Sequence, residues 1–195
     1  MFSIVSTRYN DITWSENINH RKKNNFDGCI YGAPHMLSDK ILNDSLVFVV
    51  EMNNSLNRIE GIGLMKNNIR LDKYISVYKD GNFNRYVYKG NYHIDRELII
   101  RHNCLLVDIF DYILFKEKTH LKRGAGFTTI PEKLLRHKFC QNINIKKEVK
   151  NLFINVFGNK NEFEETSEIK ETSEIKEIKE IKEIKKKRKL IIEEN

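Results

Sequence analysis

Residues 45–52, SLVFVVEM, are a near-continuous apolar run of β-branched and aromatic side chains, and after NNSLN the stretch RIEGIGLMK has the same character. Two such runs around a short polar break predict a hairpin. Further on, YISVYKDGNFNRYVYKG sets Asp80-Gly81 between two aromatic-rich segments. Asp-Gly accommodates the positive φ of a tight turn, so the spacing predicts a second hairpin with Tyr78 opposite Phe83. STRYNDITW and CIYGAPHM read as loops or short strands.

The period then changes. Asp95 is placed to cap a helix from Arg96, and Leu106, Ile109, Phe110, Ile113 and Leu114 recur at helical spacing. A helix is expected after Pro131, which suits a first turn, and another over residues 145–157, where Gly158 can end it. Strands followed by helices predict an α+β domain, with a small curled or barrel-like, mostly antiparallel sheet in the N-terminal half and helices packed beside it.

The C-terminal segment is of another kind. ETSEIK occurs twice and EIK then repeats, a period of three that drifts by about 60° per repeat on a helix and builds no lasting apolar stripe. The expected organisation is one globular domain, 1–161, and a charged low-complexity tail, 162–195. Lys185, Lys186, Lys187, Arg188 and Lys189 match the simplest nuclear-import cluster.

The 195 residues carry 34 Lys+Arg and 27 Asp+Glu; the tail takes 9 and 11 of these, leaving 25 against 16, a net charge of +9, in residues 1–161. A basic folded part points to a polyanion such as nucleic acid. The 40% hydrophobic content supports a core, and three cysteines at no regular spacing argue against a disulfide framework and for a reduced compartment. MFSIVSTRYND lacks the pattern of a secretory signal, and LLVDIFDYILF is too short and too charged for a membrane span, so no membrane association is expected.

One stretch comes near to a motif with chemistry, THLKRGAGFTTIP at 119–131. Against the ribonucleoprotein strand pattern it has one aromatic where stacking needs more, with Ala125 and Ile130 at the failing positions. Against a Walker loop it lacks the spacing and the Lys-Ser/Thr pair. What remains is a glycine turn with cations, able to offer backbone N–H groups to an anion. Lys122, Arg123, Gly124 and Gly126 are therefore candidate nucleic-acid contacts, with Arg21, Lys22 and Lys23 of HRKKNN, while Trp14 and Tyr31 are candidates for base stacking. Trp14 also reads as a core plug. His102 with Cys104, and His137 with Cys140, lack the tight knuckles of a zinc site, so no metal or cofactor is expected. No convergent acid, base and nucleophile points to an enzyme.

The segments IYGAPHMLSDKI, VFVVEMNNSLNRIEGIGLMKN, YKDGNFNRYVYKGNYHIDR and KTHLKRGAGFTTIP resemble an uncharacterised family of nucleocytoplasmic large DNA viruses, the giant viruses. The resemblance spans roughly residues 30–135 and implies a viral protein acting in the host cytoplasm or nucleus, or in the virion. SDKILNDSLVFVVEM followed by RIEGIGLM also resembles, in pattern, the PUA-like barrels that include EVE and YTH domains. That second likeness implies binding of RNA or of modified or single-stranded bases. The competing expectation is an interaction or virion protein that meets a viral or host protein and has no nucleic-acid ligand.

Overall fold

The computed structural model describes residues 2–69, 74–116, 120–140 and 143–158. The repeats, the Lys185–Lys189 cluster and Thr119 lie outside the described residues. Residues 2–156 form the compact unit considered below.

Among the described residues, seven strands and four α-helices follow in the order β1 (Phe2–Tyr9), α1 (Asp11–Lys23), β2 (Cys29–Ala33), β3 (Leu46–Asn53), β4 (Arg58–Lys66), β5 (Tyr86–Gly90), β6 (Tyr92–Asp95), α2 (Arg96–Phe115), β7 (Thr128–Thr129), α3 (Glu132–Leu135) and α4 (Ile145–Phe157). The fold is α+β. Five strands make one mixed sheet in the order β6-β4-β3-β1-β7, and β2 pairs with β5 in a separate two-stranded ribbon. In the larger sheet only β1 and β3 run parallel, from Phe2 opposite Leu46 to Tyr9 opposite Asn53. The sheet does not close into a barrel, which corrects that expectation: its edges are β6 and the two-residue β7, and these do not pair with each other.

β3 is central, and its continuous apolar run follows from burial on both faces. Alternate residues serve the two sides. Val47 and Val49 join Val5, Tyr31 and Tyr88 in the core shared with the β2–β5 ribbon. Phe48 points the other way and meets Phe2 and Phe153 edge-to-face, each with ring centroids 5.0 Å apart. Leu106, Ile109, Phe110 and Ile113 of α2 are buried as their spacing predicts, and α4 buries Val149 and Phe153. Asp95 caps α2 by accepting from the Leu98 N–H at 2.8 Å. Gly158, with φ of +67°, stands just past α4.

Two local expectations are corrected. No hairpin forms at Asp80-Gly81: Asp80 instead accepts from the Asn82 N–H and starts a 3-10 turn over Gly81–Asn84. The Asn84 side chain then stands in for a strand partner, accepting from the N–H groups of Val77 and Tyr78 and donating to the Tyr78 carbonyl. Side-chain to backbone bonds thus outcompete the ladder. Tyr78 and Phe83 still meet edge-to-face at 6.1 Å, but across this turn. In the N-terminal third, Asp11–Lys23 is a helix and not loop, started by a reciprocal cap in which Asn10 accepts from the Thr13 N–H and Thr13 Oγ1 accepts from the Asn10 N–H. Pro131 stands at the N-cap of α3, one position before its first turn.

Candidate functional site

The glycine loop is built by Arg8. This β1 side chain reaches across the end of the sheet and donates from Nε to the Leu121 carbonyl at 2.5 Å, from Nη1 to the Gly126 carbonyl at 3.1 Å and from Nη2 to Thr128 Oγ1 at 2.5 Å. The planar fork of a guanidinium suits three acceptors spread along one loop. Gly124 and Gly126 hold φ of +100° and +69°, where a side chain is disfavoured. Thr128 and Thr129 then pair with Ser6 and Val5, so the loop is tethered on both sides of its glycines.

Beneath it lies a pocket of about 220 Å³. β1 contributes Thr7, Arg8 and Tyr9, and α1 contributes its capping pair Asn10 and Thr13. Gly32, Asn54, Tyr78 and Phe83 complete the walls, and Gly124, Ala125 and Gly126 form a rim. Two aromatic hydroxyls meet here. Tyr78 accepts from the buried Asn17 Nδ2 at 3.0 Å. The Tyr9 hydroxyl lies beside it, buried, without a hydrogen bond of good geometry. Burial first, and then the neighbouring Tyr78 and Glu51, push Tyr9 well above the ordinary phenol range, so it stays protonated. Asn54 Oδ1 is likewise buried and unpartnered among the described residues. The Asn54 amide is oriented by Nδ2 donating to the Lys122 carbonyl at 2.9 Å, and its backbone N–H donates to the Tyr9 carbonyl at 2.8 Å.

The structure divides the residues expected from the sequence. Gly124 and Gly126 line the pocket, with exposed Arg123 next to them. Lys122 is half-buried, its Nζ donating to Asn57 Oδ1 at 2.5 Å. Trp14 is half-buried on α1 and meets Tyr9 edge-to-face at 5.1 Å, but it does not line the pocket. Lys22 and Lys23 are exposed at the far end of α1, about 14–20 Å from its capping pair at 1.5 Å per residue. Tyr9, Asn54, Tyr78 and Phe83 were not legible as site residues. Tyr9 stands out only as the aromatic of STRYN, and nothing in the sequence joins it to a loop more than 110 positions away.

Tyr31 and Arg21 belong to a second, buried cluster. Tyr31 is 1% exposed and donates from its hydroxyl to Glu51 Oε1 at 2.8 Å. His93 Nε2 lies 2.9 Å from Glu51 Oε2, and Arg21 Nη2 lies 3.0 Å from His93 Nδ1. Arg21 Nη1 also lies 3.3 Å from His93 Nε2, so the guanidinium runs along both ring nitrogens. Burial alone would raise the Glu51 carboxyl; His93, Tyr31 and Arg21 outweigh it and hold the group below the usual range. Gly63 makes the room, since a Cβ there would overlap the Tyr31 hydroxyl and lie 2.7 Å from Cys29 Sγ. Tyr31 is therefore core, and Arg21 is engaged by His93.

Among the described residues no group of three or more His, Cys, Asp or Glu is placed to hold a metal ion, and no helix is long and apolar enough to cross a membrane. Cys29 and Cys140 are buried and Cys104 is exposed. Comparison with protein-family models, with curated proteins and with solved structures finds no match.

Proposed function

We propose that this protein is a non-enzymatic nucleic-acid-binding module, which seats one unpaired base in the pocket beneath the glycine loop while Lys122 and Arg123 meet the phosphates outside. The observation that carries this reading is the pocket itself: aromatic walls from Tyr9, Tyr78 and Phe83 under a glycine rim, with the exposed Arg123 next to that rim. Unpaired bases are held by stacking and by hydrogen bonds to their edges, with cations along the backbone. The glycine turn is thus read as a rim for a base, and its cations as the phosphate contacts.

The resemblance to PUA-like barrels, which implies binding of RNA or of modified bases, belongs to this proposal, although the sheet is open. Action during viral infection rests on the giant-virus resemblance. Of the residues expected from the sequence, Lys122, Arg123, Gly124 and Gly126 keep their proposed role. Lys22 and Lys23 become a separate phosphate contact further along the strand, and Trp14 supports Tyr9 from behind.

The rival reading, a viral interaction or virion protein, draws on a cleft of about 620 Å³ flanked by Met36 and Leu42, which are 55% and 67% exposed. Large exposed apolar groups beside a cleft suit a protein partner.

Binding of the full chain to a short single-stranded RNA or DNA, measured over a range of salt, tests the proposal. On a single strand, each cation that no longer meets a phosphate lowers the slope of log K against log salt by about 0.7. Substituting Lys122→Ala and Arg123→Ala together should flatten it by about 1.4, twice that per-phosphate value, in a chain whose tail cluster Lys185–Lys189 is also neutralised so that it does not mask the change. An unaltered slope removes the loop from the interface, and no salt-dependent binding by the unsubstituted chain removes the proposal.

A further inference from the structure

We propose that the cleft at the opposite end of the sheet from the glycine loop docks a segment of a partner protein that carries bulky apolar side chains flanked by lysine or arginine. This goes beyond the nucleic-acid reading and does not rest on it. The strand register separates the two places. Tyr9, in the wall of the glycine-loop pocket, stands opposite Asn53 where β1 and β3 finish. Asp44 of the cleft comes just before Leu46, where β3 starts, and Asn67 just after its partner Lys66. β3 runs about 25 Å between them at 3.3 Å per residue.

The cleft, of about 620 Å³, has a buried floor and exposed flanks. Leu37 and Ile41 are buried, and buried Tyr88 accepts from the Leu37 N–H through its hydroxyl at 3.0 Å. Asn67 Nδ2 donates to the Ile41 carbonyl at 2.8 Å and Asn68 Nδ2 to Asp44 Oδ1 at 2.8 Å, so the walls are held before any partner arrives. A preformed groove lowers the ordering cost of binding. Met36 and Leu42 are each more than half exposed, and the unbranched thioether of Met36 adapts to an incoming side chain. Flanks so open do not enclose a small molecule, whose site normally buries roughly 70–90% of its surface.

Charge names the occupant. Residues 1–161 carry a net charge of +9, yet the cleft has the exposed carboxylates Asp39 and Asp44 and, among the described residues, no Lys, Arg or His in its lining. Carboxylates repel phosphates, which disfavours both nucleic acid and an anionic lipid surface, and they attract cations. A second copy in a two-fold pairing would set this acidic rim against itself. Apolar side chains for the floor and cations for the two carboxylates satisfy both features at once.

The test is fluorescence anisotropy of the full chain with three labelled twelve-residue peptides, built of leucine and lysine, of leucine and glutamate, or of serine and lysine. The leucine–lysine peptide should bind about tenfold tighter than either of the others. Met36→Ser with Leu42→Ser should weaken it by about tenfold, the loss expected when central apolar contacts are removed. Asp39→Asn with Asp44→Asn should weaken it several-fold and leave the remainder less dependent on salt. Asparagine tolerates the left-handed backbone of residue 44, at φ of +57°, and keeps an oxygen for Asn68. Lys122→Ala with Arg123→Ala, at the other end of the sheet, should leave peptide affinity unchanged. The glutamates of the tail also attract lysine, so peptide binding that both cleft variants leave intact overturns the proposal. Equal affinity for the serine–lysine or the leucine–glutamate peptide overturns it too, and needs no variant to fold. A mass by light scattering that rises with concentration, and stops doing so in the Met36 and Leu42 variant, overturns it in favour of a second copy. Binding of single-stranded rU that the same variant loses overturns it in favour of nucleic acid.

Discussion

Arg8 Nη1 donates to the carbonyl of Gly126 at 3.1 Å, across 118 positions of the chain. Together with the bonds to Leu121 and Thr128, this makes one β1 side chain the organiser of the glycine loop. Burial pulls Arg8 below the ordinary guanidinium range, yet its three acceptors are all oxygens, so the charge is compensated by dipoles and not by a carboxylate.

Arg8→Ala should accordingly cost about 1.5–3 kcal/mol, the range for hydrogen bonds to a charged group, and should release the loop. Arg8→Lys keeps the charge but not the fork, and one ammonium cannot serve three acceptors so spread out. Hydrogen exchange at residues 121–128 should accelerate in both variants while β3 remains protected. A lysine variant with unchanged exchange would show that charge alone holds the loop.

Glu51→Ala should be costlier. It leaves the Tyr31 hydroxyl and the His93 N–H without their acceptor inside the core, and breaking a buried pair from one side typically costs about 3–5 kcal/mol. The pH dependence follows from the direction of the shift. Glu51 is depressed in the folded state from the ordinary carboxyl value of 4.5, so its contribution is whole above about pH 4.5 and is lost as the pH falls through the folded value. Urea midpoints measured downward from about pH 6 should show an acid-side loss that Glu51→Gln largely removes. Equal acid slopes in the two proteins would place the protonation elsewhere.

Legibility of the fold followed the range of the interactions. The central run of β3, the Asp95 cap and the α2 stripe each depend on residues within a few positions of one another, and each was readable from period and capping chemistry. α1 was not, because DITWSENINHRKK is polar nearly all round and buries only Asn17. The Asn10 and Thr13 pair that starts it was a visible signal, though weaker than a Glu-bearing capping box. The hairpin at Asp80-Gly81 failed through Asn84, whose amide satisfies the backbone that a strand partner would otherwise have served. For the site, the sequence pointed to the glycine loop but not to Tyr9, Asn54 or Tyr78, because their convergence is created by the parallel pairing of β1 with β3 and by Arg8.

Cys29 gives a prediction on the alkaline side. Burial, followed by the charge of Glu51, pushes its thiol from 9.0 up to about 12. A group raised on folding contributes its full stability below its unfolded value and loses it as pH rises toward the folded one. The protein should therefore lose stability between about pH 9 and about pH 12. The buried phenols Tyr9, Tyr31 and Tyr78, all raised chiefly by burial, add to that loss. Cys29→Ala should make the alkaline slope shallower in a denaturant series, at the cost of a small cavity. An unchanged slope would assign the whole effect to the tyrosines.

Gly63→Ala tests whether the buried cluster depends on the bare backbone of β4. A methyl group there would overlap the Tyr31 hydroxyl and crowd Cys29, whose Cβ and Sγ both lie at 2.7 Å from the added carbon. Neither neighbour has room to yield, since both are buried and Tyr31 is anchored on Glu51. The expected loss is at or above the roughly 1–3 kcal/mol usual for overpacking. Combining it with Tyr31→Phe separates the contributions. Phenylalanine removes the oxygen that the methyl meets, so the two changes together should cost clearly less than the sum of each alone. Additive losses in thermal or urea unfolding would mean that Cys29 and the strand backbone carry the strain, with Tyr31 free to move aside.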